Sequence, residues 1–273
     1  MPMRIATASL VLALFARACL ADEPASAVVA AKTPDGVRFA TLGGKPARPA
    51  PTLFIFSTDE TTSLTSPVYL AAGTILNKQG WLCVSLDLPC HGALRHDGEP
   101  DGLAGWRHRI DAGDDPLAEF TSRCTRVLDY LVAADYADKN RVAVCGTSRG
   151  GFSALHFAAA DPRVACAVGY APVTDLAALS EFKGAEQAPL VRQLALTNHA
   201  DKLAGRAIWI SIGATDDRVD TDLAIATCRA ITAASVAKKL PDRVSLQVLP
   251  SPGHTTPAGF AEQSAQWIQH TLR

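Results

Sequence analysis

Short apolar runs of strand length alternate with helix-length segments along most of this chain, and that alternation confines it to a layered α/β fold. Residues 53–57, 81–86, 141–145, 164–170, 207–212 and 244–249 read as strands. Continuous apolar runs, rather than alternating ones, suit strands buried on both faces. Between them, residues 67–79, 117–134, 152–160, 222–239 and 257–272 read as helices. Phe120, Cys124, Val127, Leu128 and Leu131 give the second of these an apolar stripe. Upstream, residues 28–33 and 37–42 flank Pro34-Asp35-Gly36, a hairpin signal. The expectation is a mainly parallel central sheet of about eight strands with helices on both faces, in one domain over residues 28–273.

Two segments interrupt the rhythm. Residues 91–115 separate a strand from its helix, and residues 171–206 separate two strands. Both leave from carboxyl ends of strands, where parallel sheets bind ligands. They are therefore candidates for site walls, the second for a small lid after the sixth strand.

Composition excludes several functions. Charged residues make up 19% of the chain and the formal net charge is −1, without the basic footprint of a nucleic-acid binder. At the N-terminus Arg4 precedes the apolar run 5–16, and the small residues Ala18, Cys19 and Ala21 follow. This describes a secretory signal peptide over residues 1–21, cleaved after Ala21, with residues 22–27 as a linker. The run is too short to span about 30 Å of bilayer, so no stable membrane insertion is expected. A lipid anchor on Cys19 fits less well, because Arg17 lies just before it. The implied location is secreted or periplasmic. Of the seven cysteines, Cys83, Cys145 and Cys166 fall in strand runs and read as core. If any disulfide forms, Cys90 and Cys124 are the candidate pair. No cysteine or histidine spacing suits zinc, and no metal or cofactor is called for.

The most specific local feature is Gly146-Thr147-Ser148-Arg149-Gly150, a G-x-S-x-G. Alone it is unspecific and could be a plain glycine-rich turn. Here a strand enters it and a helix leaves it, the setting in which a serine is pushed out as a nucleophile. A serine hydroxyl needs a base, and the base an orienting acid, in the order Ser, Asp, His for this arrangement. Strand 207–212 runs into Asp216 and Asp217, and strand 244–249 runs into Gly253-His254. Three distant segments thus deliver Ser148, an aspartate and His254 to one sheet edge. The other six histidines lie in helices or in the two interrupting segments.

These motifs resemble the α/β-hydrolase superfamily, closest to its dienelactone-hydrolase and prolyl-oligopeptidase catalytic-domain branch. The resemblance extends to the segment Ser85-Leu86-Asp87-Leu88-Pro89-Cys90-His91-Gly92 after the fourth strand, and to Ala171-Pro172-Val173-Thr174-Asp175-Leu176 after the sixth. It implies the α/β-hydrolase fold and favours Asp216 over Asp217 as the acid. It also implies an oxyanion hole built from the Arg149 N–H and a second N–H after the third strand. Where such enzymes carry His-Gly, this chain has Ser57-Thr58-Asp59-Glu60, so the second donor would be Thr58 or Asp59. Two carboxylates there would oppose a developing oxyanion unless they point away.

The Arg149 side chain could clamp a substrate carboxylate, or form an ion pair with Asp87 or Asp175. Trp106, with its neighbours Arg107, His108 and Arg109, could line a pocket or belong to a solvated loop. The expected activity is carboxylic ester hydrolysis through an acyl-enzyme on Ser148, acting on a small-molecule or oligomeric ester. A peptidase is the alternative from the same branch, and a non-catalytic binding protein on a hydrolase scaffold is the alternative from another class.

Overall fold

The computed structural model describes residues 27–273. The sheet begins with the hairpin of β1 (Val28–Lys32) and β2 (Arg38–Leu42), paired antiparallel with Lys32 opposite Arg38. β2 also runs antiparallel to β4 (Leu82–Ser85). Every later pairing is parallel. β3 (Ala50–Phe56) joins β4 on one side and β5 (Ala137–Thr147) on the other. β6 (Val164–Tyr170), β7 (Ala207–Gly213) and β8 (Val244–Leu249) then follow. The order across the eight strands is β1-β2-β4-β3-β5-β6-β7-β8. The chain thus builds outward from β3 to β4, then returns to β3's other side and builds the opposite way. Such a switch point opens a crevice beyond the carboxyl ends of the two strands. Thr58 follows β3 there, and Ser148 follows β5.

Helices cover both faces. α1 (Glu60–Thr65), α2 (Ala71–Asn77) and α9 (Phe260–Thr271) bury Leu64, Leu76 and Ile268 with Leu53 and Ile55 of β3. The opposite face is covered by α3 (Gly102–Asp111), α4 (Pro116–Ala133), α5 (Arg149–Ala160), α6 (Pro189–Leu194), α7 (Ala200–Leu203) and α8 (Thr221–Ala237). Phe54 and Phe56 of β3 enter the apolar cluster on that side. The alternation in β3 shows why its sequence is apolar at every position from 53 to 56.

Some boundaries differ from the sequence expectation. Residues 67–79 do not form one helix: α2 covers only part of them, and α1 precedes it. Ser66 is extended (φ −67°, ψ 125°) because Pro67 follows and disfavours helical geometry before it. α1 itself starts where the Asp59 carboxylate accepts the Thr62 N–H at 2.8 Å. The segment 91–115 contains α3. The segment after β6 packs on α5 and α8, with the His156 ring hydrogen-bonded to the Leu194 carbonyl at 3.0 Å. Arg107 ties the two segments together by donating to the carbonyls of Glu181 and Lys183.

Cys90 and Cys124 are not joined; both are free and buried, as are the other described cysteines. Burial pushes the Cys90 and Cys145 thiols up to about 12. Among the described residues no helix is long and apolar enough to cross a membrane. The signal-peptide segment lies outside the described residues.

Candidate active site

β5 ends at Thr147 and α5 begins at Arg149, so Ser148 alone makes the turn between them. Its backbone sits at φ 55° and ψ −118°, a region that costs a non-glycine residue about 1–3 kcal/mol. The surroundings enforce it. The Ser148 N–H donates to the Tyr170 carbonyl at 2.9 Å, and the Ser148 carbonyl accepts from Val173 and Phe152, both at 3.1 Å. The flanking glycines are required by closeness. A Cβ on Gly146 would lie 2.3 Å from the Gly150 backbone, and one on Gly150 would lie 2.0 Å from the Phe56 carbonyl oxygen. The second contact presses the start of α5 against the end of β3.

Asp216 and His254 reach the same place from β7 and β8. His254 Nε2 lies 2.9 Å from Ser148 Oγ, and His254 Nδ1 lies 2.8 Å from Asp216 Oδ2. The other Asp216 oxygen accepts the N–H groups of Arg218 and Val219, at 3.1 and 3.3 Å. The Asp216 side chain is fully buried. An ionised carboxylate only accepts, so the imidazole proton belongs on Nδ1 and leaves Nε2 free to accept from the serine. Asp217, the rival aspartate, is exposed. Arg218 turns from both and pairs with Glu181 at 2.6 Å.

The carboxylates after β3 are occupied elsewhere. Asp59 caps α1, and although burial raises its carboxyl, the Thr62 hydrogen bonds outweigh that and hold it low. Glu60 is buried and pairs with Arg38 at 3.3 Å; burial first, and then the Asp87 charge, raise its carboxyl. Among the described residues no hydrogen bond takes up the Thr58 N–H, whereas the Ser57 N–H donates to Ser63 Oγ. The Arg149 N–H is one of the unpaired donors of the first turn of α5. Asp87 pins this neighbourhood by accepting from Glu60 N at 2.8 Å and Ala93 N at 2.7 Å, while Leu88 N donates to the Thr58 carbonyl.

Two side chains stand elsewhere than the sequence suggested. Trp106 does not line the cavity beside Ser148: it is fully buried, donates Nε1–H to the Pro89 carbonyl at 2.7 Å, and packs beside Phe152. Arg149 pairs with neither Asp87 nor Asp175. Its Nη1 lies 2.9 Å from Nε2 of buried His91. Asp175 instead caps the turn Leu176–Ala178 through the Ala177 N–H. His91 is the site residue that sequence reasoning missed. Its only signal was its place in the segment after the fourth strand, shared with Asp87.

Ser148, Arg149 and His254 open into a cavity of about 300 Å³, walled by Val68, Tyr69, Leu103 and Thr255 among others. A base, a nucleophile it can deprotonate and unpaired N–H groups at a helix start are the parts needed for acyl transfer.

Residues 111–273 match the prolyl oligopeptidase family. No curated protein matches the chain. Solved structures share its fold. Acetyl xylan esterase 1 from Thermoanaerobacterium sp. JW/SL YS485 aligns with TM-score 0.64 and 17% identity, over 90% of this chain and 83% of that one. TT1662 from Thermus thermophilus aligns with TM-score 0.65 and 17% identity, over 90% and 99%. A puromycin-hydrolyzing peptidase of Mycobacterium tuberculosis aligns with TM-score 0.64 and 17% identity, over 90% of this chain and 39% of that one. At such identities the likeness is one of fold.

Proposed function

The chain belongs to the prolyl oligopeptidase family and is a serine hydrolase, and from that premise we propose that it cleaves carboxylic esters through an acyl-enzyme on Ser148. The observation that carries this reading is the continuous hydrogen-bonded line from Ser148 Oγ through the His254 ring to buried Asp216. His254 Nε2 takes the serine proton as Oγ attacks the ester carbonyl, and Asp216 stabilises the resulting imidazolium. The N–H group of Arg149 and that of Thr58 or Asp59 hold the oxyanion. The C–O bond to the alcohol breaks as His254 returns the proton to the leaving oxygen. Water, deprotonated by His254, then attacks the acyl carbon and releases the acid with Ser148 restored.

The preference for esters over peptides rests on the cavity. Among the described residues that line it there is no carboxylate to form an ion pair with the free amino group of an aminopeptidase substrate. The acetyl xylan esterase likeness supports the same side. The peptidase reading keeps the family's own description and the puromycin-hydrolyzing neighbour in its favour. The binding-protein reading loses its ground once Asp59 and Glu60 are engaged by α1 and Arg38. A fluorophosphonate probe should label the wild type and not Ser148→Ala. Short p-nitrophenyl esters should be turned over at least about a hundredfold faster than aminoacyl-p-nitroanilides. The reverse ranking would hand the site to the peptidase reading.

Export through a signal peptide ending at Ala21 is part of the proposal, carried by Arg4 and the apolar run 5–16. N-terminal sequencing of the exported protein should read from Asp22; an intact Met1 would refute it.

A further inference from the structure

Among the described residues no carboxylate pairs with the guanidinium of Arg149, a residue of the cavity wall. Five carboxylates around the site hold other donors: Asp59 the Thr62 N–H, Asp87 the Glu60 and Ala93 N–H groups, Asp175 the Ala177 N–H, Glu181 Arg218, and Asp216 His254. Asp101, exposed at the start of α3, is near enough for its charge to act on His91 but forms no ion pair with Arg149. Among the described residues Arg149 makes no ion pair, and its one side-chain partner is His91.

That partner is built to orient the guanidinium rather than neutralise it. A guanidinium only donates and a carbonyl only accepts. His91 Nδ1, 2.9 Å from the Pro89 carbonyl, therefore carries the ring proton, and Nε2 accepts from Arg149. Burial, joined by the Arg149 charge, lowers the pKa of this ring and outweighs the Pro89 hydrogen bond and the Asp101 and Asp59 charges, which raise it, in keeping with a neutral acceptor. Gly102, at φ 61°, completes the slot: a Cβ there would lie 2.7 Å from Arg149 Nη1. One nitrogen of the guanidinium is thus held by His91, and Arg149 lines the same cavity as Ser148 and His254.

On the reading that Ser148 is the esterase nucleophile, we infer that Arg149, oriented by His91, selects small esters that carry a carboxylate beside the scissile bond. The planar fork suits a carboxylate, which it binds through parallel N–H donors. The second arginine of the cavity wall, Arg218, is already answered by Glu181, so the site takes one negative charge. A cavity of about 300 Å³ is at the small end for ligand sites and suits a compact ester. The clamp adds no bond-making step to the acyl transfer.

The test compares matched esters that differ only in charge. p-Nitrophenyl hemiglutarate and its methyl ester place the charge on the acyl side. 3-Acetoxybenzoate and its methyl ester place it on the alcohol side. In at least one pair the wild type should prefer the anion about tenfold to a hundredfold in kcat/KM, with most of the difference in KM. Arg149→Gln should bring that ratio to about one, and Arg149→Lys should keep part of it. Because each ratio is taken within one protein, a general loss of rate in a variant does not disturb it. If Arg149→Gln does not fold, the wild type decides alone, since its preference should shrink as salt is raised to about 0.5 M. Equal turnover within both pairs by a wild type that is active and labelled at Ser148 would overturn the clamp and leave the esterase standing. A preference that survives Arg149→Gln or high salt would also overturn it. A wild type that hydrolyses none of the esters and takes no fluorophosphonate label would overturn both.

Discussion

Replacing Asp216 with asparagine isolates what its charge contributes. The two side chains have nearly the same volume, and the Oδ1 that accepts from Arg218 and Val219 can remain a carbonyl oxygen. The other position changes from an acceptor to an N–H donor facing His254 Nδ1, now 2.8 Å away. His254 must then accept at Nδ1 and carry its proton on Nε2, toward Ser148 Oγ. In that tautomer it cannot take the serine proton, and the fully buried anion opposite the imidazolium is gone as well. Both effects act on the transition state, so kcat should fall by about 10⁴ with little change in KM. That corresponds to about 5.5 kcal/mol of barrier. The assay is p-nitrophenyl acetate hydrolysis, with thermal unfolding to check that the fold is intact. Asp217→Asn, at an exposed neighbour, should keep kcat within about twofold. A folded Asp216→Asn enzyme within about tenfold of wild type would refute the assignment of the acid, and a large loss in Asp217→Asn alone would transfer it.

Two further outcomes follow from packing and charge. Gly150→Ala would place a methyl 2.0 Å from the Phe56 carbonyl, so denaturant unfolding should show a loss of about 3 kcal/mol or more; a loss below about 0.5 kcal/mol would mean the elbow is not pressed against β3. Burial, reinforced by the neighbouring His199 and Lys202, lowers the His156 pKa from 6.5 to about 3. The unfolded chain therefore binds the extra proton first: His156's contribution is fully present above pH 6.5 and fades as pH falls toward 3. The slope is at most about 1.4 kcal/mol per pH unit. His156→Asn should flatten the stability-against-pH curve in that window, and an unchanged slope would refute the assignment.

The triad residues were legible because each is tied to a strand end. Ser148 and Asp216 follow apolar runs, His254 follows the short run 244–249 near the end of the chain, and parallel strands deliver their ends to one edge. The loops were not legible, because their side chains are placed by contacts between distant segments. Trp106 reads as a polar-loop residue among Arg107, His108 and Arg109, yet Pro89 and Phe152 draw it into the core. Arg149 has two acids within apparent reach, yet each is engaged by backbone N–H groups no local pattern discloses. The helix expected over residues 67–79 is regular only over Ala71–Asn77, with turns at 67–70 before it; Pro67 explains instead the break after α1, since it forces an extended residue before it.

The strand that delivers His254 lies at an edge of the sheet. β8 pairs only with β7, its other edge is free among the described residues, and its side chains are only partly buried. Such an edge strand detaches at lower free energy than the sheet centre, where residues 52–56 of β3 and 142–146 of β5 are buried. His254 hangs from β8, whereas Ser148 is fixed between β5 and β6. Heating should therefore silence the protein through fraying at this margin before it melts, with the serine still seated in its turn and no imidazole beside it.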